Sequence, residues 1–128
     1  MRILLDTHVF LWWIVDDSRL SPRCVELMVD GGNELLFSAA SGWEIAIKAG
    51  LGRLKTPEPL ERFLIEQLFH NHVDALPVQL SHALHVHTLP TLHHDPFDRL
   101  LIAQARVERL PILSADQQIA QYAVDVIW

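Results

Sequence analysis

The chain alternates short, uninterrupted apolar runs with longer segments whose apolar residues recur every three or four positions. These two periods predict strands and helices in turn. Arg2 to Leu5 is a short strand-like run, and Thr7 to Val15, bulky and too long for an ordinary strand, reads as a helix. Ser21 followed by Pro22 opens a second helix in the N-cap then N1 order, and Gly31 and Gly32 close it. Leu35 to Phe37 reads as a buried strand, and Ser38 caps a helix that runs through Ala40, Trp43 and Ile47 to Gly50. Beyond Pro57 and Pro59, Leu60, Phe63, Leu64 and Leu68 recur at helical spacing while Glu61, Arg62 and Glu66 face water, as in a peripheral helix. Val73 to Val78 holds a third strand, Ser81 starts a short helix ended by Leu89 and Pro90, and Asp95-Pro96 opens the longest helix, to about Arg109. Pro111 to Leu113 is a strand, Ser114 caps a further helix, and Val124 to Ile127 is the last strand. The predicted order is β-α-α-β-α-α-β-α-α-β-α-β.

Strands that read as continuous apolar runs and alternate with helices predict an α/β fold, a parallel sheet covered by helices on both faces. No repeat, low-complexity tract or linker interrupts residues 1–128, so one domain is expected. A chain of this length supports its own core without extrinsic staples. The single cysteine, Cys24, excludes an internal disulfide framework and suits a reducing compartment such as the cytoplasm. An acid at position 6 breaks any leader-like apolar run, and no stretch is long enough to span a membrane.

Ten Lys plus Arg against sixteen Asp plus Glu give a net charge of −6, which argues against binding nucleic acid by phosphate neutralisation alone. That argument lapses if the acids hold metal, since two bound divalent ions would bring the charge to −2. Where the carboxylates sit therefore matters more than their number. In a parallel α/β sheet, ligands gather outside the carboxyl ends of the strands. Asp6 follows the first strand, Asp116 lies just past Leu113, Glu44 sits about two turns into the helix leaving the second strand, and Asp98 is in the first turn after Pro96. Four acids from distant segments can thus project toward one rim. Two carboxylates about 5 Å apart repel by roughly 3 kcal/mol at an effective dielectric near 20, a cost that a cation offsets. All-oxygen ligation without thiolate selects Mg²⁺ or Mn²⁺ and points to metal-assisted phosphoryl transfer.

Each acid also suits a purely structural role. Asp6 fits the N-cap of the helix from Thr7, and Asp98 fits the acidic partner of a capping box with Asp95 as N-cap. Asp116 fits the first turn of a helix capped by Ser114, with Gln117 as the box partner, and Glu44 and Lys48 form an i,i+4 surface pair.

Taken together, Leu4-Leu5-Asp6-Thr7, Ser41-Gly42-Trp43-Glu44-Ile45, the run from His94-Asp95-Pro96-Phe97-Asp98-Arg99 to Ala105, and Leu113-Ser114-Ala115-Asp116 resemble a PIN domain. The likeness covers nearly the whole chain in order and spacing, and its nearest flavour is the VapC-like ribonuclease of bacterial toxin-antitoxin pairs. The resemblance implies a Mg²⁺- or Mn²⁺-dependent single-strand ribonuclease leaving 5′-phosphate and 3′-hydroxyl ends. It makes Asp6 and Asp98 principal metal ligands, Glu44 a ligand or the orienter of the attacking water, and Asp116 a ligand directly or through water. Thr7 and Ser114 match hydroxyls that orient the first acid, and Asp95 is an additional acid best read as an N-cap. The resemblance also implies a cognate antitoxin that blocks the acidic groove, and a homodimer. Rival readings are a metal-dependent phosphatase or DNA nuclease, and an inactive RNA- or protein-binding module. A flavodoxin-like or receiver-like domain fits poorly, with no Gly-rich phosphate loop and no Lys near the last strand.

Lys48, Arg53 and Lys55 form the densest basic group and, with Arg99, are the candidate RNA contacts, a phosphate-binding rim or else a solvated turn. Of the eight histidines, His85 and His87 are poorly spaced for chelation on a helix, while His93 and His94 are placed to contact substrate or tune the acids. Trp12 and Trp13 point roughly 100° apart, which predicts one in the core and the other at an interface.

Overall fold

In the computed structural model, which describes residues 1–128, five strands and seven α-helices follow the predicted order. They are β1 (Arg2–Leu5), α1 (Thr7–Ile14), α2 (Pro22–Val29), β2 (Glu34–Ser38), α3 (Ala39–Gly50), α4 (Leu60–His70) and β3 (Val73–Leu76). Then come α5 (Leu80–His85), a 3₁₀ turn at Val86–Thr88, α6 (Pro96–Glu108), β4 (Ile112–Leu113), α7 (Gln117–Ala120) and β5 (Val126–Ile127). No helix is long and apolar enough to cross a membrane.

All four strand pairings are parallel, in the order β3-β2-β1-β4-β5. Because side chains alternate along a strand, each apolar run serves both faces of the sheet. Ile3, Leu5, Leu35, Phe37 and Leu113 point into one core with Val9, Phe10, Cys24, Met28 and Ile45 from α1, α2 and α3. Leu4, Leu36 and Ile112 point into the other with Leu101, Ile102 and Ala105 of α6, Ile119 of α7 and Tyr122. Most of these side chains are fully buried, which is why the strands read as unbroken apolar segments rather than alternating ones. The expected α/β architecture, helices on both faces of a parallel sheet, is the one observed.

The chain first builds outward from β1 through β2 to β3, then returns to the other side of β1 as β4 and β5. The switch point lies between β1 and β4, where Leu5 pairs with Leu113. Crevices open at the carboxyl ends of strands at such points. Asp6 and Ser114 are the next residues along these two strands.

Three helix starts behave as the sequence predicts, among them α3, where Ser38 Oγ accepts from Ala40 N at 3.0 Å. Ser21 Oγ accepts from Cys24 N at 3.0 Å, and Asp95 Oδ1 accepts from Phe97 N and Asp98 N at 2.9 and 3.0 Å. Two differ. The helix expected from Ser81 starts at Leu80 with Gln79 as N-cap, because His82 Nδ1 accepts from Gln79 N at 3.0 Å. The helix expected to be capped by Ser114 is capped instead by Asp116, which accepts from Gln118 N at 2.8 Å. The tryptophan expectation also needs correction. Trp12 and Trp13 are both partly buried against the first core, the indole of Trp13 donating to Asn71 Oδ1 at 2.9 Å, and Trp43 is the exposed one.

Candidate active site

Asp6 occupies the N-cap position of α1 but its carboxylate makes no capping bond. It turns across the switch point, where Ser114 Oγ donates to Oδ2 at 2.7 Å, and only 4 % of the residue is exposed. The same hydroxyl accepts from Asp116 N at 3.0 Å, so Ser114 fixes two acids at once. Its proton and lone pair are both committed here. Asp116 caps α7 and so holds its carboxylate at the same rim.

Asp98 arrives from the first turn of α6. His93 Nε2 lies 3.1 Å from its Oδ2, and Tyr122 Oη lies 2.8 Å from His93 Nδ1. Tyr122 Oη already accepts from Arg99 Nη1 at 2.9 Å and from His93 N at 3.3 Å. Its own proton is therefore directed to Nδ1, which leaves the Nε2 proton of a neutral His93 to donate to Asp98. Arg99 also donates to Pro90 O at 2.9 Å, so its guanidinium ties down the loop before α6. An exposed face of α6 would leave Asp98 free to swing. Here a chain of donors from Arg99 through Tyr122 and His93 holds it.

Glu44 is carried by α3 and is 4 % exposed. Lys48 Nζ sits 2.6 Å from its Oε2, so the expected i,i+4 pair forms, but with its acid buried rather than on a solvated face. Thr7 Oγ1 donates to Ser41 Oγ at 2.7 Å, tying the start of α1 to α3. The rings of Trp43 and Phe97, 5.2 Å apart and edge to face, join the residues next to Glu44 and Asp98.

Burial pushes the Asp6 carboxyl above its ordinary value, against the Ser114 hydrogen bond, which lowers it, and the charge of Asp116 pushes it further up. Burial likewise pushes Asp98 up to about 6, helped by the charges of Asp95, Asp6 and Asp116 and opposed by His93. The mutual influence of Asp6, Asp98 and Asp116 shows that three remote segments bring their carboxylates within electrostatic reach. Glu44 is neutralised separately by Lys48. No Lys or Arg pairs with Asp6, Asp98 or Asp116; the charge of His8 draws the Asp6 carboxyl down only in part, and Asp98 has the His93 hydrogen bond.

A hard divalent cation fits this donor set chemically, being what desolvated carboxylates with raised pKa lack. No three acids, histidines or cysteines converge closely enough to cage an ion by themselves. That suits an ion such as Mg²⁺, which takes one or two carboxylates and keeps several waters. The sequence-predicted site residues thus divide. Asp6, Asp98, Asp116 and Ser114 form the centre, and Glu44 and Thr7 lie along a groove with Lys48, Arg53 and Lys55. Asp95 caps α6 and Arg99 braces the site from behind. Tyr122 and Ser41 were not singled out from sequence. Tyr122 is the chain's sole tyrosine, a signal that carried no hint of its partner 29 residues away.

The PIN domain family model matches residues 3–125. Over 121 residues, 94 % of this chain and 91 % of that protein, the chain is 29 % identical to "Ribonuclease VapC22" of Mycobacterium tuberculosis. The fold is similar to that of VapBC2 from Rickettsia felis, solved bound to a DNA fragment from its promoter, with a TM-score of 0.75 at 15 % identity, covering 100 % of this chain and 99 % of that one. DNA-bound VapBC from Salmonella typhimurium superposes with a TM-score of 0.71 at 12 % identity, covering 99 % of this chain and 97 % of that one.

Proposed function

We propose, from the premise that this chain belongs to the PIN-domain family, that it is a divalent-metal-dependent endoribonuclease and the toxin of a toxin-antitoxin pair. The observation that carries this reading is the convergence of buried Asp6 and half-buried Asp98 with Asp116 at the switch point, their charges raising one another and no Lys or Arg paired with any of them. Such an arrangement destabilises the free protein and is useful only to something positively charged. The likeness to a mycobacterial VapC ribonuclease and to VapBC assemblies supports RNA as substrate and an antitoxin as partner.

Asp6 and Asp98 would hold the ion, Asp116 directly or through water. When bound, Mg²⁺ or Mn²⁺ would supply charge neutralisation at the phosphodiester and a more acidic water. The chain's own groups do the rest. Ser114 fixes the Asp6 carboxylate through Oδ2, and His93 Nε2 fixes that of Asp98 through its Oδ2. Glu44 orients the attacking water or joins the ligands, with Lys48 holding its carboxylate in place. Attack of that water on phosphorus would break the P–O3′ bond, the departing oxygen taking up a proton to become the 3′-hydroxyl while the phosphate stays on the 5′ oxygen.

The test is cleavage of a mixed labelled RNA by purified protein with Mg²⁺ or Mn²⁺, with chelator, and by Asp6→Asn in parallel. Cutting that requires the ion and falls at least 100-fold in the variant is expected. Equal cutting by both proteins would sink the role of Asp6. Binding of RNA by both with cutting by neither would favour an inactive binding module.

A further inference from the structure

Gln104 sits in the middle of α6 with its side chain fully buried. Burying an amide is unfavourable unless each polar atom finds a partner, and a Leu or Met would fill the space without that demand. Here both ends of the amide are met. Ser38 Oγ accepts from Ala40 N at 3.0 Å, so its own proton goes to Gln104 Oε1. That turns the amide nitrogen the other way, where Nε2 donates to Pro77 O at 3.2 Å and lies 3.4 Å from His82 Nδ1. His82, equally buried, accepts from Gln79 N at Nδ1 and donates from Nε2 to Glu108 Oε1 at 2.8 Å. One network of fixed polarity thus joins the end of β2, the segment after β3, α5 and α6.

None of these groups belongs to the acidic centre, yet the network grips two helices that supply its residues. Ser38 ends β2 and caps α3, which carries Glu44 and the Ser41 that accepts from Thr7. Gln104 lies six residues beyond Asp98 on α6. The Trp43 and Phe97 rings tie the same two helices at a second level. At 1.5 Å per residue, that tie is about 7–8 Å further along α3 and about 10 Å nearer the start of α6. One tie leaves a pair of helices free to pivot, and two at different heights do not. The upper tie is an apolar contact, which tolerates sliding, whereas the lower one is a hydrogen bond, which weakens steeply once misaligned.

We propose, on the strength of the ribonuclease reading above, that Gln104 is a positioning residue. Through Ser38 it sets the register of α6 against α3, and with it the placement of Asp98 relative to Glu44 and Thr7. It touches neither ion nor substrate and acts only through the helices it joins.

The experiment compares wild type, Gln104→Met, Ser38→Gly and the two combined, each checked for folding by circular dichroism. Gln104→Met keeps the volume, and Ser38→Gly removes the hydroxyl while leaving a residue well tolerated at a helix start. Leu27→Val, in the core under α2, loosens packing without touching the network. Two quantities are measured well below each melting temperature: Mn²⁺ affinity by electron paramagnetic resonance on the chain without RNA, and kcat and KM for a labelled RNA. Each network variant is expected to bind Mn²⁺ about threefold more weakly and to lower kcat about tenfold, with KM within twofold of wild type. The combined variant is expected to match the worse single one, because both changes break the same bond. Leu27→Val is expected to keep both quantities within twofold. Wild-type Mn²⁺ affinity and kcat in folded network variants would reduce Gln104 to a fold-stabilising residue and overturn the proposal, leaving the ribonuclease reading intact. Losses that add in the combined variant, or that Leu27→Val shares, would overturn it as well. If Gln104→Met does not fold, Ser38→Gly decides alone. A wild-type chain that binds Mn²⁺ but cuts no RNA would overturn the ribonuclease reading, and the Mn²⁺ affinities would still decide the role of Gln104. A wild-type chain that does neither would overturn both.

Discussion

Replacing Asp98 by Asn should make the protein more stable while removing its activity. Burial and neighbouring carboxylates push the Asp98 carboxyl from 3.8 up to about 6, so folding disfavours its ionised form. Below pH 4 both folded and unfolded chains hold the proton and nothing is lost. Between about 4 and 6 only the folded chain still holds it, so stability falls as pH rises, and above 6 the full penalty stands. A shift of about two pH units corresponds to roughly 3 kcal/mol. Solvent reaches the 17 % of the side chain that is exposed, which cuts the figure to about 1–2 kcal/mol. An amide oxygen still accepts from His93, so that bond does not offset the gain. For a domain of this size the expected rise in Tm is about 4–8 °C at pH 7.5 in chelator, measured by circular dichroism. The gap should fall to about half by pH 5. Added Mg²⁺ should raise the wild-type Tm more than that of the variant. An Asp98→Asn protein that melts at or below wild type at pH 7.5, or whose advantage ignores pH, would refute the view that the acids are held together at a cost.

Two further perturbations probe the groups that orient the acids. Ser114→Ala removes the hydrogen bond that holds the Asp6 carboxyl down against its burial, so the acid limb of the pH–rate profile should move to higher pH, with RNA cleavage at pH 7 reduced roughly tenfold. An unmoved acid limb would detach Asp6 from that limb. Tyr122→Phe deletes the hydroxyl that joins Arg99 to His93, and should cost about 1–2 kcal/mol in urea denaturation while lowering cleavage without altering the need for metal. Wild-type cleavage in that variant would show that Asp98 needs no such brace.

Much of the architecture is legible in the chain because its signals are local. Ser21-Pro22 and Asp95-Pro96 mark helix starts through bonds spanning two or three residues, and the apolar runs at residues 3–5, 35–37 and 112–113 mark strands buried on both faces. Ser114 is where local logic fails. Its sequence context is that of a helix cap, yet its hydroxyl goes to Asp6, 108 residues earlier, and capping passes to Asp116. Glu44 and Lys48 were legible as a pair but not as a buried one, since burial is conferred by packing around α3. The carboxylates could be placed at one rim from topology. Which of them share a field, and that Arg99 is engaged by Pro90 and Tyr122, depends on distances that no spacing encodes.

The switch point also sets the order in which the site comes into being. β1 is the central strand and the first made, but its neighbour β4 is supplied more than a hundred residues later. A growing chain that has reached Arg109 already contains Asp6, Glu44 and Asp98, yet has neither Ser114 to aim Asp6 nor Asp116 to complete the rim. One side of β1 is then still unpaired, so the sheet cannot close around the acids. For a protein proposed to cut RNA, this postpones competence until translation has passed the final helix. If the proposed activity holds, a chain stalled before Ser114 is expected to cut no RNA, which spares the message that encodes it.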